Sequence, residues 1–594
     1  MTFFAELKRR NVFRVAIAYM VAAWLIVQVT EIVTDSFGAP DWVMKILIIL
    51  LAIGLPFVVI IAWAYEMTPE GIKRQVEVDQ SQSITQQTGR KLNYTIIGVL
   101  SVALVFSLAT RNGSPDKTVV EPGDKSIAVL PFVNMSDDVE NEYFSDGISE
   151  ELLNVLVKVE GLRVASRTSS FSFKDTNTPI PEIAEALNVA NVLEGSVRKS
   201  GDTIRITAQL IDVKTDSHLW SETYDRKFED IFVIQDEISA HIVDALKVAL
   251  GAEVLATGPP KPTENLAAYE DFLKGRYLWQ RRGEDNIRNA ITLFERATSA
   301  DPEFARAWSG LAAAHLTMPL YSGEPRDVHD PLALKYAEKA LALEPGIAEA
   351  HAVIADILRM DGLQWIEAER HYRKAIELEP KNPTVYLWYS EHLQGVGRLE
   401  DALNAALKSL ELDPYSMPSN ARVALTYRMN GNTEQSIAYS KAAWDLGYTF
   451  APFVLAFEEI RRADPDAALG WIDEIERAFG PDMAKLFRLL VEAHTNADRA
   501  DEFLAYLDAS DLLPKHIVAV YYAEMLRLDE AFERFGEVDL SGQDWLRIWS
   551  PELQAFRGDP RFGEMLKADG IVNYWDVTGW PETCSRDGEA VTCR

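Results

Sequence analysis

The sequence predicts a multidomain chain with an α-helical transmembrane region of three helices, an α/β domain and an all-α solenoid of helical repeats. Three observations lead to this prediction. Long apolar runs lie within the first 114 residues, strand-like alternation follows within 125–250, and helix-like segments from residue 266 end at regularly spaced prolines. With 594 residues the chain also exceeds one hydrophobic core, because a domain usually holds roughly 100 to 200 residues.

Residues 1–114 are predicted to cross a membrane three times. The apolar runs cover residues 15–33, 46–64 and 92–109, and about 20 apolar residues span a bilayer. Basic residues precede the first run and occupy the inside loop 65–91. Because basic loops stay inside, we expect a multi-pass bacterial inner-membrane protein that contacts lipid, with a cytoplasmic N-terminus and a periplasmic bulk. The third run is the shortest, and the alternative is a buried helix that leaves residues 115–594 on the side of Met1.

The charge balance argues against a nucleic-acid partner. The chain holds 59 Lys and Arg against 90 Asp and Glu, a net charge of −31 at pH 7. Proteins that bind DNA or RNA neutralise phosphates with a basic surface. We therefore expect no nucleic acid among the partners.

Residues 125–250 predict a compact α/β domain with the element order βαβαβββα. Residues 142–159 carry apolar side chains at helical spacing, and a later strand alternates strictly. The alternating positions of that strand are Ile204, Ile206, Ala208 and Leu210. Acidic residues gather around the first helix: Asp137, Asp138, Glu140, Asp146, Glu150 and Glu151. They are interpreted as solvated residues near a helix start, where the helix dipole favours negative charge.

Three segments of this domain carry a family resemblance. They read SIAVLPFVNMS, FSDGISEELLNVL and VLEGSVRKSGDTIRITAQLIDVKTDSHLWSETYDR. In this order they resemble the TolB-like amino-terminal domain, a module that occurs in bacterial chains together with tetratricopeptide repeats. In such chains the opposite end often holds a winged-helix DNA-binding domain or a nucleotide cyclase domain, and neither is recognisable in this sequence.

After a linker at 251–265, residues 266–446 predict helical repeats. Pro302, Pro345, Pro380 and Pro414 lie 43, 35 and 34 residues apart, and 34 residues is the tetratricopeptide period. Small and aromatic residues recur before two of these prolines: Ala290, Phe294 and Ala297, then Ala368, Tyr372 and Ala375. The segment therefore resembles the tetratricopeptide family. The longest spacing predicts about nine extra residues between the two helices of one repeat.

Residues 447–594 are predicted to form degenerate helical repeats and a C-terminal cap. The cap is expected to fold back on the last helices through Phe562, Tyr574, Trp575 and Trp580. Cys584 and Cys593 are the two cysteines of the chain. They are either two unrelated thiols or a disulfide across a polar loop, and a disulfide persists only in an oxidising compartment.

Function is expected on the concave face of the repeats, the face with which such arrays bind partners. The predicted partner-binding residues are Arg306, Ser309, Glu349, Asp356, Arg359, Thr384, Glu391 and Gln394. No catalytic constellation, metal-ligand cluster or cofactor motif is recognisable. The sequence therefore predicts a non-enzymatic, membrane-anchored scaffold or assembly factor for protein or peptide partners. The alternative is a transmembrane receptor that relays a periplasmic state to a cytoplasmic partner.

Overall fold

The computed structural model describes most of the chain after residue 124, namely 125–136, 138, 141–159, 161–234, 237, 238, 241, 262–360 and 364–594. Before residue 125 it describes two strands and isolated helical positions between residues 19 and 56. The chain divides into two compact units, Met1–Thr118 and Val119–Arg594. In the first unit, β1 (Tyr65–Thr68) and β2 (Gly71–Arg74) form an antiparallel hairpin.

The predicted transmembrane region is not supported. Within the described part of the chain, no helix has the length and apolar character that a membrane crossing requires. A crossing takes about 20 consecutive apolar residues in one helix, so the three-span fold class, the inner-membrane location and the lipid contact are corrected. The runs at 15–33 and 46–64 lie outside the described residues except for isolated positions, and 92–109 lies wholly outside them. The receptor hypothesis rests on the same spans and is not supported either.

The second unit begins with a small sheet domain, which occupies residues 126–227. Its elements are β3 (Ser126–Val129), β4 (Val133–Asn134), α1 (Glu142–Val157), β5 (Arg163–Val164), α2 (Arg167–Phe171), α3 (Ile180–Leu187), β6 (Asn191–Ser200), β7 (Thr203–Asp212) and β8 (Ser217–Lys227). The strand order is β5-β3-β6-β7-β8, and β4 pairs with β6. β3 runs parallel to β5 and β6, whereas β6, β7 and β8 form an antiparallel meander.

Helices cover both faces of this sheet. Because side chains alternate along a strand, Ile127 and Val129 pack with α1 while Ala128 between them packs with α3. The predicted alternation along β7 is present, and Ile204, Ile206, Ala208 and Leu210 are all fully buried. The sequence thus locates the strands well.

The array that follows consists of antiparallel helix pairs. The first five pairs are α4 (Leu266–Arg281) with α5 (Glu284–Ala300), α6 (Ala305–Ser322) with α7 (Arg326–Leu343), α8 (Ala348–Met360) with α9 (Trp365–Leu378), α10 (Pro383–Gly395) with α11 (Leu399–Leu412), and α12 (Met417–Met429) with α13 (Thr433–Asp445). The second helix of each of the first four pairs ends two residues before one of the four spaced prolines. The repeating alanine and aromatic positions are buried between the paired helices.

The repeat with the longest proline spacing differs from the prediction. Helices α6 and α7 each have 18 residues, whereas α8 and α9 have 13 and 14. The extra residues therefore lengthen both helices, and only residues 323–325 connect them. Pro319 and Pro331 both lie inside these long helices.

The remaining helices form the C-terminal part. They are α14 (Ala451–Arg461), α15 (Pro465–Leu469), α16 (Ile472–Phe479), α17 (Pro481–Thr495), α18 (Ala500–Ser510), α19 (Lys515–Glu524), α20 (Leu528–Phe535), α21 (Gly542–Ile548), α22 (Gln554–Arg557), α23 (Pro560–Ala568) and α24 (Ile571–Thr578), followed by the hairpin of β9 (Cys584–Asp587) and β10 (Ala590–Cys593). This part does more than pack on its neighbours in sequence. Helices α21 and α24 also contact α8, α9 and α10, about 150 to 200 residues earlier.

Candidate functional site

Helix α1 presents its polar side to α4, the first helix of the array. Glu150 accepts hydrogen bonds from Arg167 Nε at 3.0 Å and Gln280 Nε2 at 3.0 Å, and its carboxylate lies 3.3 Å from Arg276 Nη2. Burial alone would raise the pKa of Glu150, but the guanidiniums of Arg167 and Arg276 outweigh it and hold the pKa below its ordinary value. Glu150 is therefore a charged group that joins the sheet domain to the repeats.

A second acid of α1 extends the contact to the next repeat. Glu151 forms a two-pronged ion pair with Arg306 on α6, at 2.6 and 2.9 Å. Arg276 also donates to Glu349 on α8 at 2.7 Å, and Ser309 Oγ donates to the same carboxylate at 2.9 Å. Three of the predicted concave-face residues are thus brought together, and their partners belong to this chain.

The sheet domain contacts the array again at the end of the fourth helix pair. Asp413, which follows α11, accepts hydrogen bonds from Ser166 Oγ and Ser169 Oγ, both at 2.6 Å. Burial raises the pKa of Asp413, while these hydrogen bonds oppose the rise. Lys381 Nζ donates to the carbonyls of Val157 and Leu162 at 3.1 and 2.8 Å. The sheet domain therefore packs along the side of the array that carries the first helix of each pair, from α4 to the start of α12. This side is called the inner side below.

The C-terminal helices cover the middle of the same inner side. Gln394 on α10 donates to the carbonyl of Leu546 on α21 at 2.7 Å and also pairs with Arg422. Arg359 on α8 is 1 % exposed and bonds Asp356 at 2.5 Å and Glu391 at 3.2 Å. Four further predicted residues thus lie in or beside a buried polar cluster.

The C-terminal helix α24 anchors on α9 and α10. The hydroxyl of Tyr574 donates to Glu369, whose other neighbours include the fully buried His392. The indole N–H groups of Trp549 and Trp575 donate to the carbonyls of Gly395 and Val396 at 3.0 and 2.8 Å. The cap therefore folds back on the middle repeats rather than only on the last helices.

Of the eight predicted partner-binding residues, Thr384 at the start of α10 is exposed. The other seven are buried or half-buried and contact other parts of the chain. Binding of a partner by Arg306 would require α1 to leave the array, and binding by Gln394 would require α21 to leave it. The acids of α1 were predicted to be solvated, whereas Glu150 and Glu151 are interface residues that bond the repeat array.

Two further features bear on chemistry. Cys584 and Cys593 form a disulfide between the paired strands β9 and β10. Within the described ranges, no three His, Cys, Asp or Glu side chains are grouped so that they could hold a metal ion.

Two family models match parts of the chain. A tetratricopeptide repeat model matches residues 272–323, which fall within the first two helix pairs. The prediction of tetratricopeptide repeats is thereby confirmed, and such repeats support protein partners. The second model describes the HilA/YgeH-like transcriptional regulator, second domain, and matches residues 123–241. The predicted TolB-like assignment of the sheet domain is not supported.

One curated relative bears on catalysis. "Putative adenylate cyclase 3" of Rhizobium meliloti (strain 1021) is 41% identical over 196 residues. The match spans 33% of this chain and 33% of the relative, so it covers about a third of that protein's length. This relative contradicts the prediction that the chain is not an enzyme, and that prediction is withdrawn.

Solved structures with a distant likeness include PilW and pilF. PilW, a widely conserved type IV pilus biogenesis factor, is 16% identical, with 36% of this chain and 93% of that chain covered at a TM-score of 0.30. The pilF protein of Pseudomonas aeruginosa is 18% identical, with 37% and 96% covered at a TM-score of 0.30. Scores this low support no conclusion about this chain.

Proposed function

We propose that the chain is a protein-interaction scaffold built on its repeat array. The observation that carries the proposal is the stack of five antiparallel helix pairs, of which the first two contain the tetratricopeptide match. Stacked repeats of this kind offer extended surfaces to other proteins. The sheet domain and the C-terminal helices occupy much of the inner side, so we assign partner binding to surfaces that they leave open.

Cross-linking in cells with an amine-reactive reagent tests this function. Lys339 on α7 and Lys441 on α13 are exposed on second helices of the array, and Lys214 is an exposed control in the β7–β8 turn. We expect cross-links from Lys339 and Lys441 to a small set of recurring proteins, and not from Lys214. Equal recovery of the same proteins from all three lysines would contradict the proposal.

We propose adenylate cyclase activity as a second candidate, favoured by the 41% identity to a protein of that name. The test incubates the full chain with ATP and Mg²⁺ or Mn²⁺ and measures cyclic AMP by mass spectrometry. We expect formation that rises in proportion to protein concentration. Formation no greater than with heat-denatured protein would refute the activity.

A further inference from the structure

Strand β8 forms an open edge of the sheet domain. It stands at one end of the strand order β5-β3-β6-β7-β8, where it pairs with β7. Among the described residues, the main chain of residues 221–226 forms main-chain hydrogen bonds with no element other than β7. An edge of this kind presents a row of N–H and C=O groups that can pair with a further strand.

The shape of β8 leaves a regular stretch of this edge accessible. Nine of its eleven residues are exposed, so the strand is not covered by side chains of the sheet domain. The regular pairing with β7 begins at Trp220, because a bulge displaces Leu219, and the turn Phe228–Asp230 follows the strand. Residues 220–227 can therefore accept a further strand along their outer side.

A two-fold axis restricts how two copies of this edge can pair. In an antiparallel pair of identical strands, one residue lies on the axis opposite its own copy, and residues equally far before and after it face one another. A pair centred on Glu222, Asp225 or Arg226 would bring that charge against its own copy. A pair centred on Thr223 would join no unlike charges.

The pair centred on Tyr224 is complementary in charge. Glu222 of each copy then lies opposite Arg226 of the other, so the dimer contains this contact twice. Opposite charges in directly opposed positions stabilise an antiparallel pair, whereas like charges destabilise it. The other opposed positions within residues 221–227 bring no like charges together.

Both residues can exchange their present partners at little cost. Glu222 lies 3.1 Å from His241 Nδ1, and its side chain is 45% exposed. Arg226 lies 3.4 Å from Glu237 and donates to the carbonyl of Asp225 at 3.1 Å, and its side chain is 44% exposed. Exposed ion pairs contribute little to stability, so these contacts do not prevent Glu222 and Arg226 from meeting a second copy.

We propose that two copies of this chain pair antiparallel through the outer edges of their β8 strands. Tyr224 then lies on the two-fold axis, Glu222 of each copy lies opposite Arg226 of the other, and the sheet continues across the dimer. The inference goes beyond the functions proposed above and depends on neither. Its partner is the chain itself, which the charge pattern of β8 favours.

Sedimentation equilibrium of the full chain and of charge-exchange variants tests the proposal. The unaltered chain should form a dimer whose fraction rises with concentration. Glu222→Arg and Arg226→Glu each place like charges at both contacts, so each should weaken the dimer at least tenfold. The chain with both substitutions regains unlike charges in exchanged positions and should dimerise as the unaltered chain does. Lys214→Glu, at an exposed position in the β7–β8 turn, should leave the dimer unchanged.

Any of three results would overturn the proposal. They are a monomeric unaltered chain at the highest soluble concentration, equal dimerisation of all variants, and a double variant that dimerises no better than the single ones. Circular dichroism checks that each variant is folded. If a charge-exchange variant unfolds, the chain with Ser221→Cys and Lys227→Cys provides a second measurement, because these positions face one another across the axis. We expect a disulfide between two copies of that chain on oxidation, and its absence would also overturn the proposal.

Discussion

The stability of the second unit should fall on acidification because of one buried histidine. His315 on α6 is 6% exposed, and its Nδ1 lies 3.0 Å from Nδ1 of His329 on α7. His329 is bonded in turn to Glu324 through Nε2 at 2.8 Å. Burial, followed by the proximity of His329, lowers the pKa of His315 to about 4.

The sign and size of the effect follow from this shift. Above the pKa of an unfolded histidine, about 6.5, His315 is neutral in the folded and in the unfolded chain. In that range its titration does not change the stability of the fold. Between pH 6.5 and 4, His315 binds a proton in the unfolded chain but stays neutral in the folded chain. The stability of the fold therefore falls as the pH falls through this range. Each pKa unit corresponds to about 1.4 kcal/mol, and the total loss is about 3 kcal/mol.

Urea unfolding followed by circular dichroism between pH 7.5 and 4 measures this loss. Other groups titrate in the same range, so the quantity of interest is the difference between the unaltered chain and His315→Gln, whose amide can donate to His329 or accept from it. We expect the unaltered chain to lose about 3 kcal/mol more than the variant. The variant His218→Gln, at an exposed position on β8, should follow the unaltered chain. Parallel curves for all three proteins would refute the reasoning.

Three further predictions concern the internal contacts. Arg276→Met should lower the free energy of unfolding in urea by about 3 kcal/mol because Glu150 loses a buried partner. Adding Glu150→Gln to the same chain should recover part of the loss. Strictly additive losses would contradict the pairing. Asp413→Ala should cost about 1 to 3 kcal/mol and speed amide hydrogen exchange in residues 161–173. Glu400→Ala, at an exposed position at the other end of α11, should not speed this exchange. Unchanged exchange in Asp413→Ala would exclude the contact. The disulfide joins Cys584 to Cys593 across a sequence separation of 9, and its reduction should lower the free energy of unfolding by roughly 2 to 3 kcal/mol. The melting temperature with and without reductant measures this loss. The melting temperature of the chain with serine at both positions should not change with reductant.

Local patterns predicted the elements of the second unit well. The alternation along β7 and the spaced prolines of the array both arise from regular packing between elements that are close in sequence. Such packing repeats at fixed intervals, so it produces a periodic pattern of residue types that the sequence shows. The four spaced prolines accordingly lie two residues after the ends of α5, α7, α9 and α11, and the alternating residues of β7 are buried. The nine extra residues of the α6–α7 repeat were detected but assigned to the loop, since spacing alone does not distinguish a longer helix from a longer connection.

The long-range contacts could not be predicted in this way. Glu150 meets Gln280, 130 residues away, and Tyr574 meets Glu369, 205 residues away. Nothing in the spacing of either residue indicates its partner, because one charged or aromatic side chain carries no periodicity. Packing of the cap on the last helices was predicted through Phe562, Tyr574, Trp575 and Trp580. The hydrogen bonds of Tyr574 to Glu369 and of Trp575 to Val396, in the middle repeats, were not predicted. The filling of the inner side therefore appears only in the structure.

The return of α21 and α24 to α8–α10 turns the intervening chain into a closed loop. The stretch from about residue 400 to 541 begins after α10 and ends before α21, and these two helices contact each other. Its helices are therefore connected at both ends to the same part of the array. Lengthening such a loop costs little entropy, about 0.6 kcal/mol for each doubling. Insertions between these helices should be tolerated. An insertion between α4 and α10 would move Asp413 away from Ser166 and Ser169. Insertions should therefore be tolerated less well before α10 than after it.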